Sequence, residues 1–590
     1  MVNRPFALWL LMICLTTGSF RSGCAQDTPS PPANEKAVSE QTVWLRQLIQ
    51  VSGSMNGSSA ELRLNGTGVV SVYFNGQRLA ARLPISGTVA WPVQELLRPG
   101  RNCIAVSASV ANQEKPQAAW LEAGANVVVE AVGWRITADR PPIGWQQTDF
   151  NDRDWTGAGP AASIKAVPGD VQRLTWANRS QREDRLTSAF RFQDGDHVLL
   201  VGGTFIERAQ LYGHLEGALT ANAGNLRVTF RNLGWSADTV FAESRGIFDA
   251  PARGYERLIE QVRAEEPTVI MVCYGQNEAL SSDGSDDSLE RFRAQLTVLQ
   301  RDLASTGAEV VFWSPHPFVD VAPPIPPASR FNSVLKRFSG VVRQVATATQ
   351  CRFVDLFDHF TEDLQVVQSW ASDAPMPPEL RSHPDLSAAR NRQWTDNGMH
   401  WNDAGYRCVS ALVAARLFDL PLHRPAVSVD AQNSAVTCPD GTIQKIVWNG
   451  TPGQRVSFEF LPSTTALFVP EIRVSESVIG GIQAELSTPG LTSPLILSQA
   501  TIGSETLFST TGNPAMDQVR ALIVRKNELY FHRWRPQNIT YLFGFRKHEQ
   551  GNNAGEIAQF DPLIDELEQQ IHIAAQPVPV QIRLTSDAAK

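Results

Sequence analysis

HVLLVGGTFIERAQLYGHLEGAL, residues 197–219, joins two hydrophobic periods across a pair of glycines. Val198, Leu199, Leu200 and Val201 form an unbroken apolar run, the pattern of a strand buried on both faces. After Gly202 and Gly203 the apolar residues return at helical spacing: Phe205, Ile206, Ala209, Tyr212, Leu215, Ala218 and Leu219. The same alternation repeats downstream. "LRVTFRNLG" (226–234), "TVIMVCYG" (268–275), "AEVVFWSP" (308–315) and "RFVDLF" (352–357) read as strands, and "YERLIEQVRAEE" (255–266), "SLERFRAQLTVLQRDLA" (288–304), "FNSVLKRFSGVVRQVATAT" (331–349) and "NDAGYRCVSALVAARLF" (402–418) as amphipathic helices. Strands alternating with helices specify a parallel sheet covered on both faces, a three-layer α/β domain over residues 190–424. In such sheets ligands bind beyond the carboxyl ends of the strands.

Outward from this domain the period changes. From residue 42 to about 165, short alternating runs such as "AELRLNG" (60–66), "VVSVYFNG" (69–76) and "NCIAVSASV" (102–110) end in Gly or Asn, the signature of a β-sandwich. Residues 425–528 are again rich in short runs, including "IQKIVWNG" (443–450), "VSFEFLP" (456–462) and "RALIVRKNELYFHRW" (520–534), and predict a smaller β-rich module. An aromatic segment and a helix over 529–575 are expected to return to the α/β domain, leaving 576–590 as a tail.

The chain of 590 residues is too long for one core, so several domains are expected. Its net charge of −8, with no long Lys/Arg run, offers no electrostatic footprint for nucleic acid. Arg4 followed by "FALWLLMICLTTGSF" (6–20) reads as a signal peptide over 1–25, and the Pro- and Ser-rich 26–41 as a flexible linker. Export to the periplasm or outside the cell is expected. Lipid anchoring through Cys24 is disfavoured by Arg21, and no later segment is apolar for long enough to span a bilayer. Cys103, Cys273, Cys351, Cys408 and Cys438 lack metal-ligand spacing, and Cys273 reads as a buried thiol.

Polar loops follow the strands: "NLGWSADTV" (232–240), "YGQNEAL" (274–280) and "WTDNGMHWNDAGY" (394–406). With "GGT" (202–204) these four ordered blocks resemble the SGNH, or GDSL-like, hydrolases, whose fold is flavodoxin-like and whose activity is ester hydrolysis. The resemblance covers roughly residues 196–422. It implies Thr204 as nucleophile, Ala237 and Asn277 as oxyanion donors with the Thr204 N–H, and His400 as general base. Asn397 stands at the position of the family's orienting Asp, and Asp396 lies one residue earlier. No metal and no organic cofactor is implied.

Three departures from the family pattern have physical meaning. Thr for Ser keeps the hydroxyl but adds a methyl that restricts χ1. Ala for Gly at 237 keeps the N–H, provided its φ is allowed. Asn for Asp at 397 removes the anion that orients the base. Taken alone, Thr204 also fits an ordinary helix cap. Glu243 is another nearby carboxylate, and His316, Trp235, Arg533 and Trp534 are candidates for shaping the substrate site. His532 to Arg535 fit a cation and aromatic surface over the pocket or ordinary packing.

The acids of "SSDGSDDSLE" (281–290) suggest calcium but lack the spacing of an EF-hand, so a solvated loop and helix cap is favoured. The N-terminal region resembles galactose-binding-like jelly-roll modules through "VSVYFNGQRL" (70–79), "LLRPGRNCIAV" (96–106) and "GWQQTDFNDRDWTGA" (144–158). That resemblance implies a carbohydrate partner, with Trp145 and Trp155 either stacking on sugar or packing. Two functions stand at this point: an esterase acting on a small-molecule or polysaccharide ester, or a binding or scaffold protein that has kept the cleft and lost turnover.

Overall fold

The computed structural model describes residues 40–586 except 54–58, 112–117, 124–126, 132, 139–140, 142–144, 158–170, 175–188, 371–390, 392, 423–425, 431–432, 440, 450–454, 463–470, 476–481, 489–492, 503–504 and 510–512. The expected signal peptide, most of the linker, and Cys24 lie outside the described residues.

The α/β domain is built on five parallel strands, β1 (Asp196–Gly202), β2 (Val228–Asn232), β3 (Val269–Cys273), β4 (Glu309–Trp313) and β5 (Arg352–Val354), in the order β2-β1-β3-β4-β5. The helices are α1 (Thr204–Tyr212), α2 (His214–Ala221), α3 (Pro251–Glu265), α4 (Gln276–Ser281), α5 (Asp286–Ala304), α6 (Ser329–Ala348), α7 (Phe360–Trp370) and α8 (Asp403–Phe418). Strand alternation divides the core in two. Val198 and Leu200 of β1, Met271 of β3 and Val311 of β4 face α1, α2, α7 and α8, whereas Leu199, Val201, Ile270 and Phe312 face α3, α5 and α6. This is the three-layer arrangement read from the sequence. The strand order reverses at β1, so a crevice opens between the carboxyl ends of β1 and β3.

The N-terminal β-rich region is a nine-stranded sheet. The strand Ala60–Phe74 pairs with Ala118–Ala123 through its first half and with Gly100–Ala111 through its second, changing partners at Gly66–Gly68, where Gly68 has φ +127°. Gly supplies that conformation without strain, and the change lets long strands wrap one apolar core. The sheet continues to Val171–Arg173, beyond the expected boundary at 165. Trp145 is buried, edge-on to Tyr73 at 5.6 Å and 6.1 Å from Trp155, so both indoles take part in packing. Arg78 of this region donates to the carbonyls of Glu266 and Pro267, just before β3. That contact is at the amino-terminal edge of the parallel sheet, the edge opposite the crevice.

The C-terminal β-rich region holds two five-stranded sheets that share one core, with Val427, Ile472 and Phe508 on one sheet meeting Phe458, Leu486 and Ile582 on the other. Two expectations are corrected here. The segment 520–534 is not a strand: it belongs to helix α9 (Pro514–Trp534), capped by the Asn513 side chain with Pro514 in the first turn. Its buried residues Met516, Val519, Ile523, Asn527, Tyr530 and Trp534 recur every three or four positions, and that burial outweighs the strand preference of the Leu-Ile-Val run. Nor is 576–590 simply a tail, because Val580–Ser586 is the central strand of one sheet, between Arg455–Pro462 and Ile482–Ser487.

Helix α9 and α10 (Phe560–Ala574) pair with each other and cover the edge strand β2. An open strand edge is a liability, and here buried charges close it. Lys526 Nζ, fully buried, donates to Glu216 at 2.6 Å and to the Phe230 carbonyl at 2.9 Å, while Arg231 pairs with Glu568 of α10. Burial pushes the Glu216 carboxyl pKa up, and the Lys526 charge opposes that rise. Removing one partner of such a pair leaves the other charge uncompensated, so Lys526→Ala is expected to destabilise the hairpin by about 3–5 kcal/mol. Denaturant unfolding followed by the signal of the α/β domain measures it; a loss below about 1 kcal/mol contradicts a stabilising role for the buried Lys526–Glu216 pair.

Candidate active site

The crevice is lined by Gly203, Thr204, Asp238, Asn277, Glu278 and His316 among others. Three loops build it. β1 ends at Gly202, Gly203 is the N-cap of α1, and Thr204 is the first helical residue. Thr204 therefore does not cap its own helix; its Oγ1 accepts the Ala237 N–H at 2.9 Å.

The second loop follows β2. Trp235 N–H donates to the Gly202 carbonyl at 3.0 Å and Asp238 N–H to the Trp235 carbonyl at 3.0 Å, which makes a tight turn with Ala237 at φ +59°. A Cβ at Gly234 would lie 2.3 Å from the Glu207 backbone nitrogen, so only glycine permits this loop to approach α1. Beneath the turn, the buried Asp238 carboxylate accepts from Arg245 at 2.8 Å and from the Tyr274 hydroxyl at 3.0 Å.

The third loop follows β3. Asn277 donates its side-chain amide to the Asp238 carbonyl at 2.7 Å, and a Cβ at Gly203 would lie 2.6 Å from that nitrogen. Glu278 accepts the N–H groups of Gly275 at 2.8 Å and Val240 at 2.7 Å, joining the second and third loops. Burial raises its pKa to about 7 despite those bonds. The sequence singled out neither Glu278 nor the Asp238–Arg245–Tyr274 cluster. Glu278 stands three residues after Gly275, the spacing of a capping box, and that was the available signal.

His400 lies on a turn closed by the bridge between Thr395 and Trp401. Asn397 Oδ1 accepts the N–H groups of Met399 at 3.1 Å and His400 at 2.8 Å. Those two bonds fix the amide orientation and leave Asn397 Nδ2 facing His400 Nδ1 at 3.4 Å. An amide NH2 only donates, so Nδ1 accepts and the proton of the neutral ring sits on Nε2. Burial, reinforced by the Arg208 charge, holds the His400 pKa down to about 4. The Asp396 carboxylate pairs with Arg208 at 3.2 Å. Among the described residues, no hydrogen bond joins Thr204 Oγ1 to His400.

His316 is fully buried, donating from Nδ1 to the Pro317 carbonyl at 3.0 Å and accepting at Nε2 from Trp401 at 3.2 Å. Burial lowers its pKa to about 4, so it is a neutral wall of the crevice. Glu243 accepts from the Thr239 hydroxyl at 2.9 Å. Trp235 is buried under the Arg535 guanidinium, 3.5 Å above its ring, and edge-on to Trp534 at 5.8 Å. Arg533 pairs with Asp561, in the first turn of α10, at 2.8 Å, and His532 contacts Phe531. Trp235, Arg533 and Trp534 are thus engaged in packing and ion pairing, and none lines the crevice. Ser285 caps α5 within the acidic stretch 281–290, and no group of three His, Cys, Asp or Glu side chains with metal-holding geometry occurs among the described residues.

Residues 202–408 match the family model of the GDSL-like Lipase/Acylhydrolase family. This segment is a GDSL-like acylhydrolase domain. The chain is 26% identical over 222 residues to an alpha-L-rhamnosidase of Streptomyces avermitilis, which covers 35% of this chain and 20% of that protein; the chain thus spans about one fifth of this relative's length. Among solved structures it is similar to a gut microbial diltiazem-metabolizing enzyme (14% identity, 68% of this chain and 99% of the other, TM-score 0.43). It is also similar to the acetylxylan esterase Axe2 of Geobacillus stearothermophilus (18% identity, 40% and 99%, TM-score 0.28). The GDSL-like domain has its crevice at the reversal of strand order, and no helix among the described residues is long and apolar enough to cross a membrane.

Proposed function

We propose that the GDSL-like domain is a slow carboxylic ester hydrolase that removes small acyl groups from carbohydrate. The observation that carries this reading is the Ala237 N–H aimed at the Thr204 hydroxyl at 2.9 Å. A backbone donor beside a hydroxyl at a helix start is the arrangement an acyl transfer needs, because the oxyanion develops next to the attacking oxygen. Thr204 Oγ1 attacks the acyl carbon and its proton passes to His400 Nε2. The oxyanion takes the N–H groups of Ala237 and Thr204 and an amide hydrogen of Asn277. Collapse expels the sugar hydroxyl, which receives the proton from His400, and water then hydrolyses the acyl-threonine by the same route. Proton acceptance at Nε2 requires the tautomer protonated at Nδ1, which opposes its N–H to the Asn397 amide; turnover is slow for that reason.

The carbohydrate class is supported by the N-terminal resemblance to galactose-binding-like modules and by the rhamnosidase relative. Arg4 and the apolar run at 6–20 support action outside the cytoplasm.

The test is release of acetate from acetylated xylo-oligosaccharides and a chromogenic acetate ester. Wild type is expected to exceed His400→Ala, with kcat/KM flat above about pH 5 and an acid limb near 4, since the neutral ring is the base and its pKa is about 4. Equal rates for both proteins at every pH contradict the enzyme. A second reading, a carbohydrate-binding or scaffold protein without turnover, is favoured by one observation: the resting ring presents a donor rather than an acceptor at Nε2.

A further inference from the structure

We propose that Arg535, supplied by the end of α9 from outside the α/β domain, is a positioning residue for the oxyanion turn at 235–238. This rests on the ester-hydrolase reading of the crevice for its kinetic consequence, though not for its structural one. Two contacts of Arg535 join the helix α1 to the turn. Its guanidinium donates to Glu207 of α1 at 2.8 Å, the helix that begins with Thr204, and lies 3.5 Å over the Trp235 ring, the first residue of the turn. A planar guanidinium both forks to a carboxylate and stacks on an aromatic face, so one side chain fixes the spacing between the nucleophile helix and the turn.

The support continues beneath the turn. Trp534 meets the Trp235 edge at 5.8 Å, and the Arg245 guanidinium lies 5.5 Å from the Trp235 ring and 5.9 Å from that of Trp534. Arg245 in turn binds the Asp238 carboxylate at 2.8 Å and the Leu233 carbonyl at 2.7 Å. Asp238 ends the turn, and its carbonyl holds Asn277. Contacts therefore run unbroken from α9 through Trp235, Arg245 and Asp238 to both Ala237 and Asn277. Ala237 needs such support, because a non-glycine residue at φ +59° is strained and relaxes when its surroundings loosen. Without Arg535 the turn shifts, and the Ala237 N–H leaves the position it takes beside Thr204 Oγ1.

The experiment compares the full chain with Arg535→Ala, Arg535→Lys and Arg525→Ala, an exposed position of the same helix. Two readouts are taken, amide hydrogen exchange across residues 233–242 and steady-state hydrolysis of a chromogenic acetate ester. In Arg535→Ala, exchange is expected to accelerate in that segment but not in α9 or α10, with kcat lower by roughly ten- to hundredfold and KM little changed. Arg535→Lys, which keeps the charge toward Glu207 but not the planar stacking, is expected to recover part of kcat, and Arg525→Ala to match wild type. Unchanged exchange in a folded Arg535→Ala chain overturns the proposal, as does exchange raised equally throughout α9 and α10, which marks a merely structural loss. If wild type shows no turnover yet Arg535→Ala still loosens 233–242 alone, the positioning role is supported and the hydrolase reading is the one that fails.

Discussion

Asn397→Asp is expected to raise kcat/KM on an acetyl ester, by as much as three to four orders of magnitude, roughly the inverse of the loss when the orienting Asp of a serine-protease triad becomes Asn. The reason lies in hydrogen-bond direction. Asn397 spends its carbonyl oxygen on the N–H groups of Met399 and His400, so only its NH2 faces the ring. A carboxylate in the same place accepts at both oxygens. One keeps the two backbone bonds, and the other accepts from Nδ1–H, which moves the ring proton from Nε2 to Nδ1 and frees Nε2 to accept from Thr204. The new anion also favours the imidazolium, so the acid limb near pH 4 is expected to move to higher pH. The sign separates this account from a general disturbance of the turn: a disturbed turn lowers the rate and leaves the limb in place. A rate at or below that of wild type, with the fold intact, rejects the tautomer argument.

Thr204→Ser and Thr204→Ala are expected to diverge in opposite directions. The Thr204 side chain is nearly buried, and its Oγ1 is held by the Ala237 N–H. Its methyl group restricts χ1 and occupies space beside the oxygen that attacks, whereas Ser keeps the hydroxyl and loses the obstruction. Ser is expected to raise kcat severalfold, about 1 kcal/mol or less of barrier. Ala removes the only nucleophile proposed, and hydrolysis is expected to fall to the level of buffer. Combining Thr204→Ser with Asn397→Asp is expected to give more than the sum of the two free energies, since each change removes an obstacle that limits the benefit of the other. Persistent hydrolysis by Thr204→Ala, with stereochemically normal substrate and a protein free of contaminating esterase, assigns the nucleophile to another group.

Local pattern and tertiary burial disagree in two segments of the C-terminal region. The run Leu522-Ile523-Val524 has strand-forming composition, yet α9 forms there because Met516, Val519, Ile523, Tyr530 and Trp534 share one helical face and bury it against α2, α10 and β2. The strand Val580–Ser586 was hidden for a different reason. It follows two helices and pairs with Ile482–Ser487 and Arg455–Pro462, far earlier in the chain, and no local signal records a partner at that distance.

The candidate site residues divide the same way. Thr204, Ala237, Asn277 and His400 were legible through four ordered blocks of sequence that resemble the GDSL-like hydrolases. Two of the three departures in residue type, Thr204 and Ala237, belong to that set, and the third, Asn397, stands three residues before His400. The sequence also determined the parallel α/β domain, because apolar runs alternating with helical periods admit little else. Only the tertiary structure decided what the departures do. What the Asn397 side-chain oxygen accepts from, which cation Asp396 pairs with, and which side chains support Ala237 at positive φ depend on contacts that the fold makes, some between segments as far apart as residues 207, 235 and 535. A hydrogen bond has a direction and a ring has two nitrogens, and neither is written in the order of residues; they are set by what the fold brings within 3.5 Å.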